Sequence, residues 1–153
     1  MIGSMPEGSS PSIASERTSA WPAAQQLGDA AETTVAELLV GSCCTVVGRN
    51  LRFGRNEVDI LAVDPAPPAA LVIVEVRWRA SRRYGLAEET FDWRKRAHLR
   101  AAAGRLRQLA VLADGTFVPR LPIRIDLVVV EPSRSGEDDR PARVCHHRDA
   151  LAF

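Results

Sequence analysis

The stretch from Asn56 to Arg79 constrains this chain more than any other part of it. Two runs rich in Val, Ile and Leu, 56–63 and 71–79, flank Asp64-Pro65-Ala66-Pro67-Pro68. Three prolines in five residues remove backbone donors and fix φ, so the connection is a turn and the runs are predicted as two strands of one hairpin. Side chains alternate faces along a strand. Glu57, Asp59, Leu61 and Val63 therefore share one face of the first strand, and Leu71, Ile73, Glu75 and Arg77 share a face of the next. A hairpin symmetric about Pro67 pairs Asp59 with Glu75, Glu57 with Arg77, Leu61 with Ile73 and Val63 with Leu71. A slip of two residues keeps that set on one face and a slip of one does not. Opposed residues have Cβ atoms about 5 Å apart, where two ionised carboxylates repel. An Asp59–Glu75 pair thus requires a counter-charge. Mg²⁺, or Mn²⁺ in its place, takes oxygen ligands and needs only one or two protein carboxylates. The commoner arrangement is a Glu57–Arg77 ion pair, with Asp59 and Glu75 neutralised by arginines such as Arg124. Spacing leaves both open.

The rest of the chain places this hairpin in a domain. Residues 1–22 are rich in Ser, Pro, Gly and Glu without apolar periodicity, the pattern of a flexible leader. Leu27, Ala31, Val35 and Leu38 recur at helical spacing, predicting an amphipathic helix over 23–40 that Gly41 can end, with Glu32 on the flank of the stripe. Strands are predicted at 44–52, 56–63, 71–79 and 123–130, with a shorter one near 143–147. A second helix over 91–112 buries Leu99, Ala102, Ala103, Leu106 and Ala110. The order αβββαββ is that of an α/β domain with a mixed sheet flanked by helices.

The 153 residues carry a formal charge of +1, which excludes a polybasic or acidic disordered chain as a whole-molecule description. The balance hides an asymmetry. Between Arg77 and Arg107 there are ten basic and three acidic residues. Arg96, Arg100 and Arg107 form a helical stripe that can track a phosphate backbone, and Arg79, Arg82 and Arg83 extend it through the preceding loop. A solvated helix face explains the same stripe equally well. Lys95, the sole lysine, lies on the sheet-facing side of the second helix, where it can reach a phosphate near the carboxylates or snorkel to solvent. Trp78 and Trp93 flank the segment and could stack on bases, although Trp78 points away from Glu75 and reads as core. Cys43, Cys44 and Cys145 make neither a disulfide framework nor, with His98, His146 and His147, a zinc spacing. Gly-rich phosphate loops and nucleophile-elbow motifs are absent. No apolar run reaches the roughly 20 residues of a membrane span, and residues 1–26 lack a secretory h-region, so a cytoplasmic protein without membrane association is expected.

The succession Leu27-Gly28-Asp29-Ala30-Ala31-Glu32, Arg49-Asn50-Leu51-Arg52, Asn56-Glu57-Val58-Asp59-Ile60-Leu61-Ala62, Val74-Glu75-Val76-Arg77-Trp78-Arg79, Lys95 and Arg124-Ile125-Asp126 resembles the YraN-type family of uncharacterised bacterial proteins. The likeness runs from about Leu27 to Phe153. That family is similar in turn to Holliday-junction resolvases and other restriction-endonuclease-like nucleases of the PD-(D/E)xK type. The resemblance implies an endonuclease-like domain over 23–153 that binds nucleic acid, DNA in the first place and branched DNA included, and dimerises as resolvases do. It implies Mg²⁺-dependent phosphodiester hydrolysis. Glu32, Asp59 and Glu75 match acidic metal-site positions, and Asp59, Glu75 and Arg77 match the catalytic ones, with Arg77 standing where the motif has Lys. Two departures follow. Asn56 replaces the Gly that usually precedes the Glu-x-Asp, which bears on the turn after Phe53-Gly54-Arg55. Arg77 is always protonated and cannot serve as a general base, so water would have to be activated by the metal. The competing readings are a non-catalytic nucleic-acid-binding module of the same fold, and a protein-interaction domain whose carboxylates are fully ion-paired.

Overall fold

A computed structural model describes residues 23–79, 92–131 and 143–151. The leader, Arg82 and Arg83 lie outside the described residues. The elements are α1 (Ala23–Gly41), β1 (Thr45–Phe53), β2 (Asn56–Asp64), β3 (Ala70–Trp78), α2 (Trp93–Leu106), β4 (Ile123–Glu131) and β5 (Arg143–His147). The fold is α/β in the expected order. The strands form one sheet in the order β1-β2-β3-β4-β5, antiparallel except for β3 and β4, which run parallel because α2 carries the chain across between them.

The sheet lies between the two helices. Leu61, Leu71, Ile73, Ile125, Leu127 and Val129 pack towards α2, where Leu99, Ala102, Ala103 and Leu106 close the core. Ile60, Ala62, Val72, Val74, Val128 and Val130 pack towards α1. Every residue from Ala70 to Val76 is buried, as a central strand covered on both faces requires, and so β3 reads as an unbroken apolar run.

Two helical details differ from expectation. The buried stripe of α1 is Ala31, Val35 and Leu39, while Leu27 and Leu38 are 41% and 47% exposed. Of two adjacent leucines, the i+4 spacing from Val35 turns Leu39 to the sheet. The helix ends at Gly41, but the left-handed residue beyond it is Cys43, at φ 66°. Helix α2 stops at Leu106 rather than 112, with the Arg107 N–H closing on Ala103 O. The chain then reverses at Asp114-Gly115, with Gly115 at φ 87°, through a bridge between Val111 and Phe117. Leu112 therefore enters the core from a loop, and Ala110 is exposed.

The β1–β2 turn is tight. Gly54 takes φ 68° and Phe53 pairs with Asn56 across it, so Asn56 continues the ladder. Asp64 Oδ1 accepts the Ala66 N–H at 3.0 Å and starts the proline-rich turn.

Candidate functional site

The β2–β3 register is the one symmetric about Pro67, with Leu61 opposite Ile73 and Val63 opposite Leu71. Its last pair is Ile60 with Val74. Beyond it the strands part, while β3 stays paired with β4 as far as Trp78. At the parting point Asp59 Oδ2 accepts the Val76 N–H at 2.8 Å, so a carboxylate satisfies a donor that the β2 backbone no longer reaches.

Glu75 stands one residue past the last pair, with its side chain only 2% exposed. Lys95, delivered by the first turn of α2, places Nζ 2.8 Å from Oε2, and Arg77 places Nη2 3.2 Å from Oε1. Burial and the neighbouring Asp59 charge push the Glu75 carboxyl up to about 7, against the pull of Lys95 and Arg77. Glu32 joins from α1. Burial raises its carboxyl too, and Asp59 is the next cause. Glu32 Oε2 is buried without a hydrogen-bond partner among the described residues, the Arg49 guanidinium standing 4.0 Å away. The Asp59 charge thus acts on both Glu32 and Glu75 at the β2–β3 fork, with two cations drawn onto Glu75, the most buried of the three.

The ion pairs differ from the expected ones. Glu57 is exposed and lies opposite Arg52 on β1, while Arg77 turns to Glu75, two residues away on its own strand. Lys95 neither snorkels nor stands apart from the carboxylates. Arg124 is bound to Asp64 and Asp126 on the α1 face, whereas Glu75 meets Lys95 of α2 and Asp59 sits between the parting strands on the Val76 N–H. Of the expected phosphate-tracking residues, Arg79 and Arg96 are half-buried, and Arg100 and Arg107 are exposed. Trp78 packs against the α1-side core, whereas Trp93 is 71% exposed.

On the α1 face lies a second polar centre that the sequence reading missed. Asp126 is fully buried and its two oxygens take Arg124 Nε at 2.8 Å, Arg124 Nη2 at 3.0 Å, His146 Nε2 at 2.8 Å and the Asp149 N–H at 2.9 Å. Arg124 Nη2 also reaches Asp64 Oδ2 at 2.9 Å, and Arg148 stands 3.5 Å from the same oxygen. Burial alone would raise the Asp126 carboxyl, but the bonds from His146 and Arg124 outweigh it and hold it below the usual range. Asp64 is lowered likewise by the Ala66 N–H and Arg124. This network ties β2, β4 and β5 across β3 and borders a pocket of about 240 Å³ lined by Val35, Leu39, Cys44, Val72 and Val144. The i, i+2 spacing of Arg124 and Asp126, which puts both on one face of β4, was the available signal.

Among the described residues no group of three or more His, Cys, Asp or Glu is arranged to hold a metal ion, and no helix is long and apolar enough to cross a membrane. Residues 31–130 match the model of the uncharacterised protein family UPF0102, the YraN family. A UPF0102 protein of Symbiobacterium thermophilum is 37% identical over 73% of this chain and 87% of its own length. One from Bordetella petrii is 39% identical over 72% of this chain and 66% of its own. A third, from Chlorobaculum tepidum, is 38% identical over 71% and 77%.

Proposed function

This chain belongs to the UPF0102 family, and from that premise and the chemistry of the β2–β3 fork we propose that it is a nucleic-acid phosphodiesterase dependent on Mg²⁺ or Mn²⁺, acting on DNA. One observation carries the reading: Glu32, Asp59 and Glu75 gather at the fork, and the most buried of them is met by Lys95 and Arg77. The fork fits a hard divalent cation in kind. Its donors are carboxylate oxygens, burial first and the Asp59 charge second raise Glu32 and Glu75, and Glu32 Oε2 is buried without a hydrogen bond. A ready three-residue cage is not required, since Mg²⁺ is often held by one or two carboxylates and completed by water and substrate phosphate.

Asp59 and Glu75 would hold the ion, with Glu32 binding it or orienting it. Bound there, a divalent cation supplies charge neutralisation at the scissile phosphate and acidifies a water molecule. Arg77 and Lys95 are the cations that can turn from Glu75 to the phosphoryl oxygens as charge develops on them. Arg77 stays protonated throughout. Arg79, Arg96, Arg100 and Arg107 would steer the backbone of the nucleic acid towards the fork.

The test is cleavage of a labelled duplex, a single strand and a four-way junction with Mg²⁺ or Mn²⁺. The double substitution Asp59→Ala with Glu75→Ala is expected to abolish turnover, and unchanged cleavage by that variant refutes the assignment. A non-catalytic nucleic-acid-binding module is the second reading, favoured by the cations already seated on both Glu75 oxygens. Salt-sensitive DNA binding without Mg²⁺ uptake in calorimetry selects it.

A further inference from the structure

We infer that Trp93 forms a stacking subsite for an unpaired nucleobase across the first turn of α2 from the β2–β3 fork, so that strands with unpaired bases are bound in preference to continuous duplex. The inference deepens the nucleic-acid reading above and rests on it. Trp93 is the first residue of α2, and Asp92 before it caps the helix by accepting the Arg94 N–H at 3.2 Å. A helix start fixed in this way holds the indole at a defined place rather than on a loose end. Trp93 is nonetheless 71% exposed, the largest of the exposed apolar side chains among the described residues. Tryptophan gains more than any other side chain from burial, so an indole held open on a fixed element is a surface awaiting a partner.

The surroundings select the chemistry of that partner. The Arg94 guanidinium lies over the indole, 5.4 Å from the ring centroid, within the range of a cation–π contact. A base that stacks on the indole therefore meets a cation suited to its own phosphate. Two residues further on, Lys95 touches Glu75. Residues two apart on a helix leave it on nearly opposite sides, so Trp93 and the fork are separated by about one helix diameter, roughly 10 Å. That span is about three nucleotides of a stacked strand at ~3.4 Å each. An apolar protein partner would gain nothing from this run of cations, whereas a nucleic-acid strand uses both the flat π surface and the charge. Within duplex the faces of the bases are already covered by their neighbours. Only a single strand, a flap or a frayed end can offer a face to Trp93. The exposed Leu109, Val111 and Phe117 lie on the loop after α2, and Leu27, Leu38 and Val40 on α1, away from the helix start that carries Lys95.

Fluorescence anisotropy at low salt tests this, with an end-labelled oligothymidylate of about 20 nucleotides and a hairpin-closed duplex of similar charge, on the full chain and its Trp93→Ala and Trp93→Phe variants. Losing one base–aromatic stack weakens binding between about fivefold and about a hundredfold. Trp93→Ala is expected to lose that much on the oligothymidylate and less than about twofold on the duplex, with Trp93→Phe close to the unsubstituted protein on both. Equal losses on the two probes, or none on the oligothymidylate, overturn the subsite while leaving nucleic-acid binding in place. Absence of binding to both probes by the unsubstituted protein refutes the broader reading, and the subsite with it. Far-UV circular dichroism of each variant confirms that an exposed position has been changed without loss of the fold.

Discussion

Replacing Glu75 by Gln makes a sharp test of the electrostatics at the fork. The carboxyl titrates near 7 in the folded chain against 4.5 as its ordinary value. At about 1.4 kcal/mol per pKa unit, that difference is worth roughly 3 kcal/mol. Below pH 4.5 the group is protonated in both states and adds no penalty. Between 4.5 and 7 the folded chain keeps a proton that the unfolded chain has released, so stability falls as pH rises. Above 7 both states are ionised and the full penalty of about 3 kcal/mol stands. Glutamine fills the same space and does not titrate. Lys95 and Arg77 stay charged throughout this pH range, so what they lose with their partner is constant and does not change the slope of the difference. The assay is urea denaturation of both proteins at pH 5, 6, 7 and 8, and the quantity of interest is the difference between the two curves, which cancels every other titrating group. Part of the penalty is already present at pH 5, so stability of the natural chain relative to the variant should fall by roughly 2 to 3 kcal/mol between pH 5 and pH 8, with unchanged m-values. Parallel profiles, within about 0.5 kcal/mol across that range, would refute a raised Glu75 and the crowding of charge that produces it.

On the other face, Asp126→Asn leaves Arg124 and His146 facing a neutral group in a buried network, and should cost about 3 to 5 kcal/mol at pH 7 by urea denaturation. A loss under about 1 kcal/mol would mean that the network contributes little. Because its partners hold Asp126 below 3.8, the stability it adds is present above that pH and vanishes on acidification, so the variant should show a shallower acid arm. Leu39→Ala should cost about 2 to 5 kcal/mol and Leu38→Ala less than about 1, since only the first is buried; equal losses in thermal melts would reverse the assignment of the α1 stripe. Gly54→Ala places a Cβ at φ 68° under the Arg105 guanidinium, a movable group, so the backbone conformation dominates and about 1 to 2 kcal/mol should be lost.

The register of the central hairpin was legible because the proline turn fixes both strands at once: once Pro67 is the centre, Leu61 must meet Ile73. The order of seven elements followed from periodicity and turn residues for the same local reasons. What was not legible depended on choices made at a distance. Leu38 and Leu39 are adjacent and equally apolar, and only the sheet beneath α1 selects the second. The apolar positions beyond Leu106 continue a helical rhythm, yet Leu112 belongs to a loop, because the Asp114-Gly115 reversal must begin before it. For the fork, the register put Asp59 near Glu75, but Asp59 leaves the ladder to take the Val76 N–H, and the partners of the carboxylates could not be read at all. Arg124 lies beside Val72 in the parallel ladder and so shares the α1 face with Asp64 and Asp126. That ladder is set by where the chain re-enters the sheet after α2, which no local pattern encodes.

The two buried acidic centres, on opposite faces of one sheet, differ in whether their surroundings favour or oppose the charged form. Asp126 has four polar contacts on two oxygens, and its ionised form is favoured in the folded state. Such a network accounts for itself by the elements it joins. Glu75 is equally buried, yet its ionised form is disfavoured, because burial and Asp59 outweigh Lys95 and Arg77. A neutral side chain of the same shape would relieve that opposition and give a more stable domain at neutral pH. Local violations of this kind, where a chain keeps a group against its own stability, are expected at sites of binding or chemistry. The penalty at Glu75 would be relieved by anything that brings positive charge to the fork, and under the function proposed above a divalent cation with a phosphate would do so, the phosphate offering Lys95 and Arg77 a partner in place of Glu75.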